Sequence, residues 1–430
     1  MAIGERLLFW KNPRGLGLLL VWVCLLVLPV GRLVELPVML MALGGLYLLV
    51  RDWRRWRENR GFKLFACVFL LAWIPILLSL PDAVRPQSTA MMSANHLRFA
   101  FGGVFMLHVL SSPRAHRRLL CLCAWLLLIW IADGLIQFGF GRDLLGFKAP
   151  EIVPGVERIN ALFGEQGLVY GTLVAVLSPL LWEHARRRWA RWQTAMVVFA
   201  TVLVVLITGA RSAWISMCVL LLAYGVLLSI RHGRIPLRLV ASVMALAAVT
   251  VTALWFGSAQ FAGRVDNAIG ALTRSDDTFK DAIGHRYWIA RGALNMIRHH
   301  PVNGVGAGSF RYAFPDYAAA DDPFFHAQPS ISPYHAHNVI LQVLAETGAI
   351  GALGLIGLLA LLLLAGIRAR PESRRIMLPY ALCLLAAYFP LNTHMAIYSA
   401  FWSQILWWLI ALYCAAYGAD GSEAEKRAAL

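Results

Sequence analysis

Two histidines and an asparagine, His335, His337 and Asn338, stand together in YHAHN just ahead of a long apolar run, and Gly348 and Gly351 follow within it. A neutral imidazole can take or give a proton near neutral pH, so His337 is a candidate general base. A histidine hydrogen-bonded at a helix entry would look the same in sequence. His335-x-His337 could also ligate a metal, but on a helix the two side chains would point apart, and no third ligand is evident nearby. Arginines form the second group of interest. Arg211 lies in TGARSAW, Arg286 and Arg291 open an amphipathic stretch, and Arg142 and Arg158 sit in a separate connection. A fixed guanidinium matches phosphate oxygens bidentately. A lone interfacial arginine can equally snorkel to water. The pairs Asp276-Asp277 and Asp321-Asp322 could hold a divalent ion or simply form turns.

What must position these residues is a membrane bundle. Apolar residues make up 59% of the chain and charged residues 14%, far from the usage of a soluble domain. Runs long enough to cross about 30 Å of hydrocarbon fall near 15–31, 32–50, 63–80, 97–111, 119–139, 167–183, 193–209, 211–230, 237–257, 349–368, 375–391 and 398–417. The expected fold is an all-α polytopic membrane protein with about 12 transmembrane helices. The first run, behind Lys11 and Arg14, is long for a signal-peptide core and is expected to stay as an anchor. All seven cysteines fall within these runs, where they behave as small hydrophobes and suggest neither a disulfide framework nor a metal cluster.

The formal charge of +16 suggests nucleic acid until its distribution is examined. Lys and Arg concentrate in alternate connections, at 6–14, 51–63, 114–118, 186–191, 231–238, 368–375 and the C-terminal tail. That alternation marks the cytoplasmic side and places both termini inside. The basic loops then serve topology and anionic lipids rather than nucleic acid. Asp133, inside a span, calls for a partner, and Arg98 is a candidate.

On the opposite side only two connections are long. One runs from about 140 to 166 and carries Arg142, Lys148, Arg158, Glu165 and Gln166. The other, 258–348, is domain-sized. Its residues 284–300 have helical spacing, Pro301 and three glycines break the pattern in PVNGVGAGSF, and 311–333 read as irregular. A loop this long is commonly functional. The expected organisation is spans one to nine over 1–257, the large loop over 258–348, three further spans over 349–417, and a tail from 418 to 430.

His337-Asn338, nine residues, then Gly348-x-x-Gly351 resembles the signature of bacterial O-antigen ligases. They belong to a wider group with O-antigen polymerases and protein O-oligosaccharyltransferases. The Arg-bearing turn TGARSAW and the arginine-led helix before Pro301–Phe310 are also similar to that family. The resemblance implies a fold like the C-type membrane glycosyltransferases and a periplasmic glycosyl transfer. The donor would be O-antigen polysaccharide on undecaprenyl pyrophosphate, and the acceptor a sugar hydroxyl of lipid A–core. It makes His337, Arg211 and Arg286 the catalytic residues, with Arg142, Arg158, Arg291, His335 and Asn338 binding substrate and Gly348 and Gly351 as a structural motif. It implies no metal and no cofactor. A polymerase would use a lipid-linked repeat as acceptor, and a protein O-oligosaccharyltransferase a Ser or Thr. A polytopic transporter is the non-enzyme alternative, disfavoured because no repeated halves or paired broken helices stand out.

Overall fold

The computed structural model describes residues 13–153, 156–164, 169–232, 285–322 and 332–419, together with positions 252 and 325. It is helical almost throughout. The helices are α1 (Pro13–Leu26), α2 (Glu35–Arg51), α3 (Trp53–Glu58), α4 (Arg60–Leu78), α5 (Pro86–Val109), α6 (Pro113–Phe140), α7 (Tyr170–Arg188), α8 (Arg191–Ile207), α9 (Arg211–His232), α10 (His285–His299), α11 (Phe310–Tyr317), α12 (Val339–Arg368), α13 (Pro371–Tyr388) and α14 (Ala400–Gly418). Between α6 and α7 a short antiparallel pair forms, β1 (Glu151–Val153) and β2 (Val156–Glu157). Among the described residues, five helical segments are long and apolar enough to cross a membrane: Leu28–Arg51, Arg60–Leu78, Pro113–Phe140, Val339–Arg368 and Ala400–Gly418. Pro13–Leu26, Arg191–Ile207 and Arg211–Leu227 are shorter apolar helices. The chain is a multi-pass helical membrane protein. Every expected apolar run except 237–257 falls on one of these helices; that run, residues 258–284 and the tail beyond Ala419 lie outside the described residues.

The chain forms two compact units. The first comprises residues 1–126, 289–384 and 395–430. Its centre is α14, apolar on every side and buried along most of its length, as a helix surrounded by others must be. Polar groups on α14 and its neighbours find backbone partners: Trp408 Nε1 donates to the carbonyl of Val21 at 3.0 Å and Tyr413 Oη to that of Leu362 at 2.7 Å. In hydrocarbon such pairings substitute for absent water. Helices α2 and α5 approach closely because Gly45 lies against the carbonyl of Phe101, where any Cβ would collide. Arg98, on α5, pairs with Glu35 at the start of α2.

The second unit comprises 127–288 and 385–394. Within it α7 packs against α8 and α9. Trp130, Phe163 and Tyr170 form an aromatic cluster, with Phe163 edge-on to Trp130 and Tyr170 Oη donating to the Trp130 carbonyl at 2.7 Å. Asp133 does not take the expected Arg98 partner. Its Oδ1 accepts the Leu144 backbone N–H at 2.7 Å and so ties the turn after α6 to the helix. The spacing along the chain hid this, because the donor is a backbone amide and leaves no trace in residue type. A second expectation is also corrected. Residues 311–333 are not irregular throughout, since α11 covers Phe310–Tyr317. Phe310, Ala313 and Phe314 recur at helical spacing and enter a core with Ile289, Ala293, Met296, Val305, Ala336 and Ala345.

Candidate functional site

That small core positions the histidine motif in the first unit. Ala336 is buried in it, so the residues on either side, His335 and His337, emerge together. They are not on a helix, since α12 begins at Val339. Their rings lie 4.1 Å apart, centre to centre, where a helical pair would diverge. His337 has φ +51°, the left-handed region that costs a non-glycine residue about 1 kcal/mol or more. Such a conformation persists where neighbours enforce it, and here both do. Asn338 is the N-cap of α12, its Oδ1 accepting the N–H groups of Ile340 at 2.9 Å and Leu341 at 3.1 Å. Its side-chain oxygen is therefore engaged in starting the helix, a role worth about 1 kcal/mol.

The two glycine motifs prove to be one structure. At Gly348, with φ +62° and ψ −158°, α12 breaks its hydrogen-bond ladder. The N–H of Ala349 goes to the carbonyl of Pro301 at 2.8 Å, and that of Ile350 to Val302 at 3.3 Å. The carbonyls left behind on α12 are taken up in return: Ala345 accepts from Val305 at 2.8 Å and Glu346 from Gly306 at 3.0 Å. Backbone groups buried in an apolar setting must all be paired, and this exchange closes the account. Contact is so close that a Cβ on Gly348 would strike the Val302 carbonyl, and one on Gly304 would strike the Glu346–Thr347 peptide.

Glu346 belongs to the same arrangement. It is 1% exposed, with Oε1 accepting from Gln342 Nε2 at 2.9 Å and Oε2 accepting the Gly308 N–H. Ser79 Oγ accepts the N–H of Ala307 at 3.2 Å, and Thr347 Oγ1 lies 2.9 Å from Tyr398 Oη. Sequence reasoning passed over Glu346, although a single acid in QVLAETGAIG is a signal of the kind that flags a buried polar network. Of the other loop residues in this unit, Arg291 places Nη1 2.8 Å from both carboxylate oxygens of Asp321, and Asp322 Oδ1 accepts the Phe325 N–H. Asp276 and Asp277 lie outside the described residues.

The second unit holds the other arginines. The link between α8 and α9 is only Thr208, Gly209 and Ala210, and Arg211 is the first residue of α9. Arg286 lies near the described start of α10. Burial, and then the like charge of Arg211, hold the Arg286 guanidinium below the usual arginine range. The two cations thus sit within electrostatic reach of each other. A helix N-terminus adds further positive potential at Arg211, so the pair resembles the ready-made anion sites found at such termini. Arg142 is exposed, and its Nη1 donates to the Gly146 carbonyl at 2.8 Å within a tight turn held by Asp143. Arg158 follows β2 and is half-buried, its backbone N–H bonded to Pro150 at 3.0 Å. Glu165 and Gln166 lie outside the described residues. Of the expected arginines, Arg211 and Arg286 lie within electrostatic reach of each other, while Arg291 is joined to an acid and Arg142 to its own turn.

No curated protein matches the chain. A family model does, over residues 195–356, from α8 through the break in α12. That span takes in Arg211, Arg286, the glycine loop and His337, and over it the chain is similar to the O-antigen ligase family.

Proposed function

We propose that this protein is a glycosyltransferase of the bacterial inner membrane that ligates O-antigen polysaccharide to lipid A–core. The donor is a glycan on undecaprenyl pyrophosphate, and the site faces the periplasm. Both termini are cytoplasmic and about twelve helices cross the bilayer, with 258–348 as the large outer loop and 418–430 as the tail. The basic connections support that orientation. Donor and acceptor are both lipids, so a site at a membrane face suits their delivery.

What supports the reading is Arg211 at the first position of α9 and Arg286 near the described start of α10, where burial and then the like charge of Arg211 bear on Arg286. Two guanidiniums held together destabilise each other, and a pyrophosphate between them would relieve that repulsion. In the reaction, an acceptor hydroxyl attacks the anomeric carbon from the face opposite the pyrophosphate. The new C–O bond forms as the bond to the leaving oxygen breaks, with inversion. His337 takes the hydroxyl proton, and the arginines stabilise the charge that collects on the pyrophosphate. Preorganised donors of this kind contribute on the order of 3 kcal/mol each, so the step needs no metal ion and no other cofactor. His335, whose ring lies against that of His337 at a tilt of 48°, holds the imidazole's orientation. Arg142 and Arg158 are candidates for contacts with the remainder of the donor.

Purified protein supplied with donor and acceptor lipids tests this. His337→Ala is expected to stay folded and to lose transfer; near-normal turnover would remove His337 as the base. Exchanging lipid A–core for a lipid-linked repeat as acceptor should abolish product, and efficient use of the repeat would make the enzyme a polymerase.

A further inference from the structure

Four side chains outside this machinery form a stacked ladder on the first unit. The Arg85 guanidinium lies 4.1 Å from the centre of the Tyr312 ring. Arg311 lies 5.1 Å from the same ring and 4.6 Å from that of Tyr334. Arg85, Arg311 and Tyr334 are exposed or partly so, Tyr334 at 72%. Among the described residues no carboxylate contacts either guanidinium. This distinguishes them from Arg291 and Arg98, each of which is joined to an acid.

The rungs are fixed from below. Val84 N–H bonds to the Val305 carbonyl at 2.9 Å, and Ser309 Oγ reaches the Arg85 carbonyl at 3.5 Å. Arg311 and Tyr312 ride on α11, whose Phe310, Ala313 and Phe314 are in the core, and Tyr334 lies two residues before the buried Ala336. A ring against the face of a guanidinium restrains its plane while leaving its N–H edge available. That edge matches the oxygens of a phosphate or carboxylate. The open ring of Tyr334 offers an apolar face of the size of a sugar ring. Tyr334 is also three residues from His337.

We propose that Arg85, Arg311, Tyr312 and Tyr334 bind an anionic sugar of the acceptor glycan, one bearing a phosphate group. The assignment to the acceptor rests on His337 being the base, because the base must stand beside the attacking hydroxyl. The ladder therefore selects acidic acceptors and holds them near the imidazole.

Calorimetric titration of the full-length protein, in nanodiscs of zwitterionic lipid, tests the proposal without requiring turnover. The probe is the deacylated, phosphate-bearing core oligosaccharide of a lipopolysaccharide, compared with the same material after chemical dephosphorylation. Dephosphorylation is expected to weaken binding at least tenfold, as is the double variant Arg85→Gln/Arg311→Gln. Tyr334→Ala should weaken it several-fold. Equal binding of the two oligosaccharides would overturn the proposal, whatever the variants do. Should the double variant melt early, Arg85→Lys/Arg311→Lys keeps the charge without the planar stack, and undiminished binding by it would also overturn the ladder's role. Loss of binding in nanodiscs containing phosphatidylglycerol would reassign the ladder to membrane headgroups. Intact, phosphate-dependent binding with no transfer by the wild type would instead leave the ladder standing and defeat the ligase reading.

Discussion

Replacing Gly348 by alanine perturbs the joint between the glycine loop and α12. Its backbone, φ +62° and ψ −158°, lies in a region open essentially to glycine, and forcing another residue there costs about 1–3 kcal/mol. The added Cβ also meets the Val302 carbonyl and the Asn303 N–H. Moving it away strains the bonds from Ala349 to Pro301 and from Ile350 to Val302, each worth roughly 1 kcal/mol net. The sum is about 3–5 kcal/mol, a large share of the ~5–15 kcal/mol that holds a typical protein folded. For a chain of this size the apparent melting temperature should fall by roughly 3–6 °C, read by a thermal scan of detergent-purified protein at one scan rate. Gly139→Ala provides the comparison. Its Cβ would meet nothing within 4 Å, and no unusual backbone is needed, so its loss should be clearly smaller. Equal melting temperatures for Gly348→Ala and the wild type would refute the hydrogen-bond exchange described for this joint.

His337→Gly should abolish transfer yet match or exceed wild-type stability by up to about 1 kcal/mol, because glycine accepts φ +51° without strain; paired melting and transfer assays check both halves. Arg286→Ala should lower the rate constant for transfer by about 10²–10³-fold, and Arg286→Lys should recover little of it, since a point charge replaces a planar fork. Arg291→Ala, by contrast, removes an exposed ion pair with Asp321 and should change stability by less than about 1 kcal/mol and leave turnover near normal. Asn338→Ala should lower stability by about 1 kcal/mol through loss of the N-cap of α12, measured by chemical denaturation. Transfer measured in excess EDTA should be undiminished, and a loss restored by added divalent ion would bring a metal into the mechanism.

The helices were legible because hydrophobic length is a direct physical requirement of the bilayer, and residue type alone records it. The amphipathic α10 was legible for the same reason, through the spacing of Ile289, Ala293 and Met296. Much of the site was not. Helix α11 was hidden by Pro315 and the aspartates around it, whose turn-forming character outweighs one short apolar face. The facing of His335 and His337 depends on a left-handed residue, and a histidine does not advertise φ +51° as a glycine would. The motifs Pro301–Phe310 and Gly348-x-x-Gly351 were each visible, but their union is made by backbone atoms common to every residue. Tyr312 and Arg311 attracted no notice because their partner Arg85 is more than two hundred positions away.

The arginines show how spatial context resolves what a count of charges leaves open. Sequence treats Arg98, Arg286, Arg291 and Arg311 alike, as cations in a chain with few acids. In the structure Arg98 faces Glu35 and Arg291 faces Asp321, so each has its charge answered within the fold. Arg311 and Arg85 face rings, which restrain a guanidinium without neutralising it. Arg286 is largely buried and within electrostatic reach of Arg211, and both make its charged state costlier. Carboxylate neighbours remove the reason to bind an outside anion, aromatic neighbours preserve it, and a like-charged neighbour strengthens it. Ranked on that physical ground, Arg286 with Arg211 is the strongest candidate anion site of the set, and Arg85 with Arg311 the next. A pyrophosphate leaving group and an acidic sugar are chemically suited to these two sites in that order.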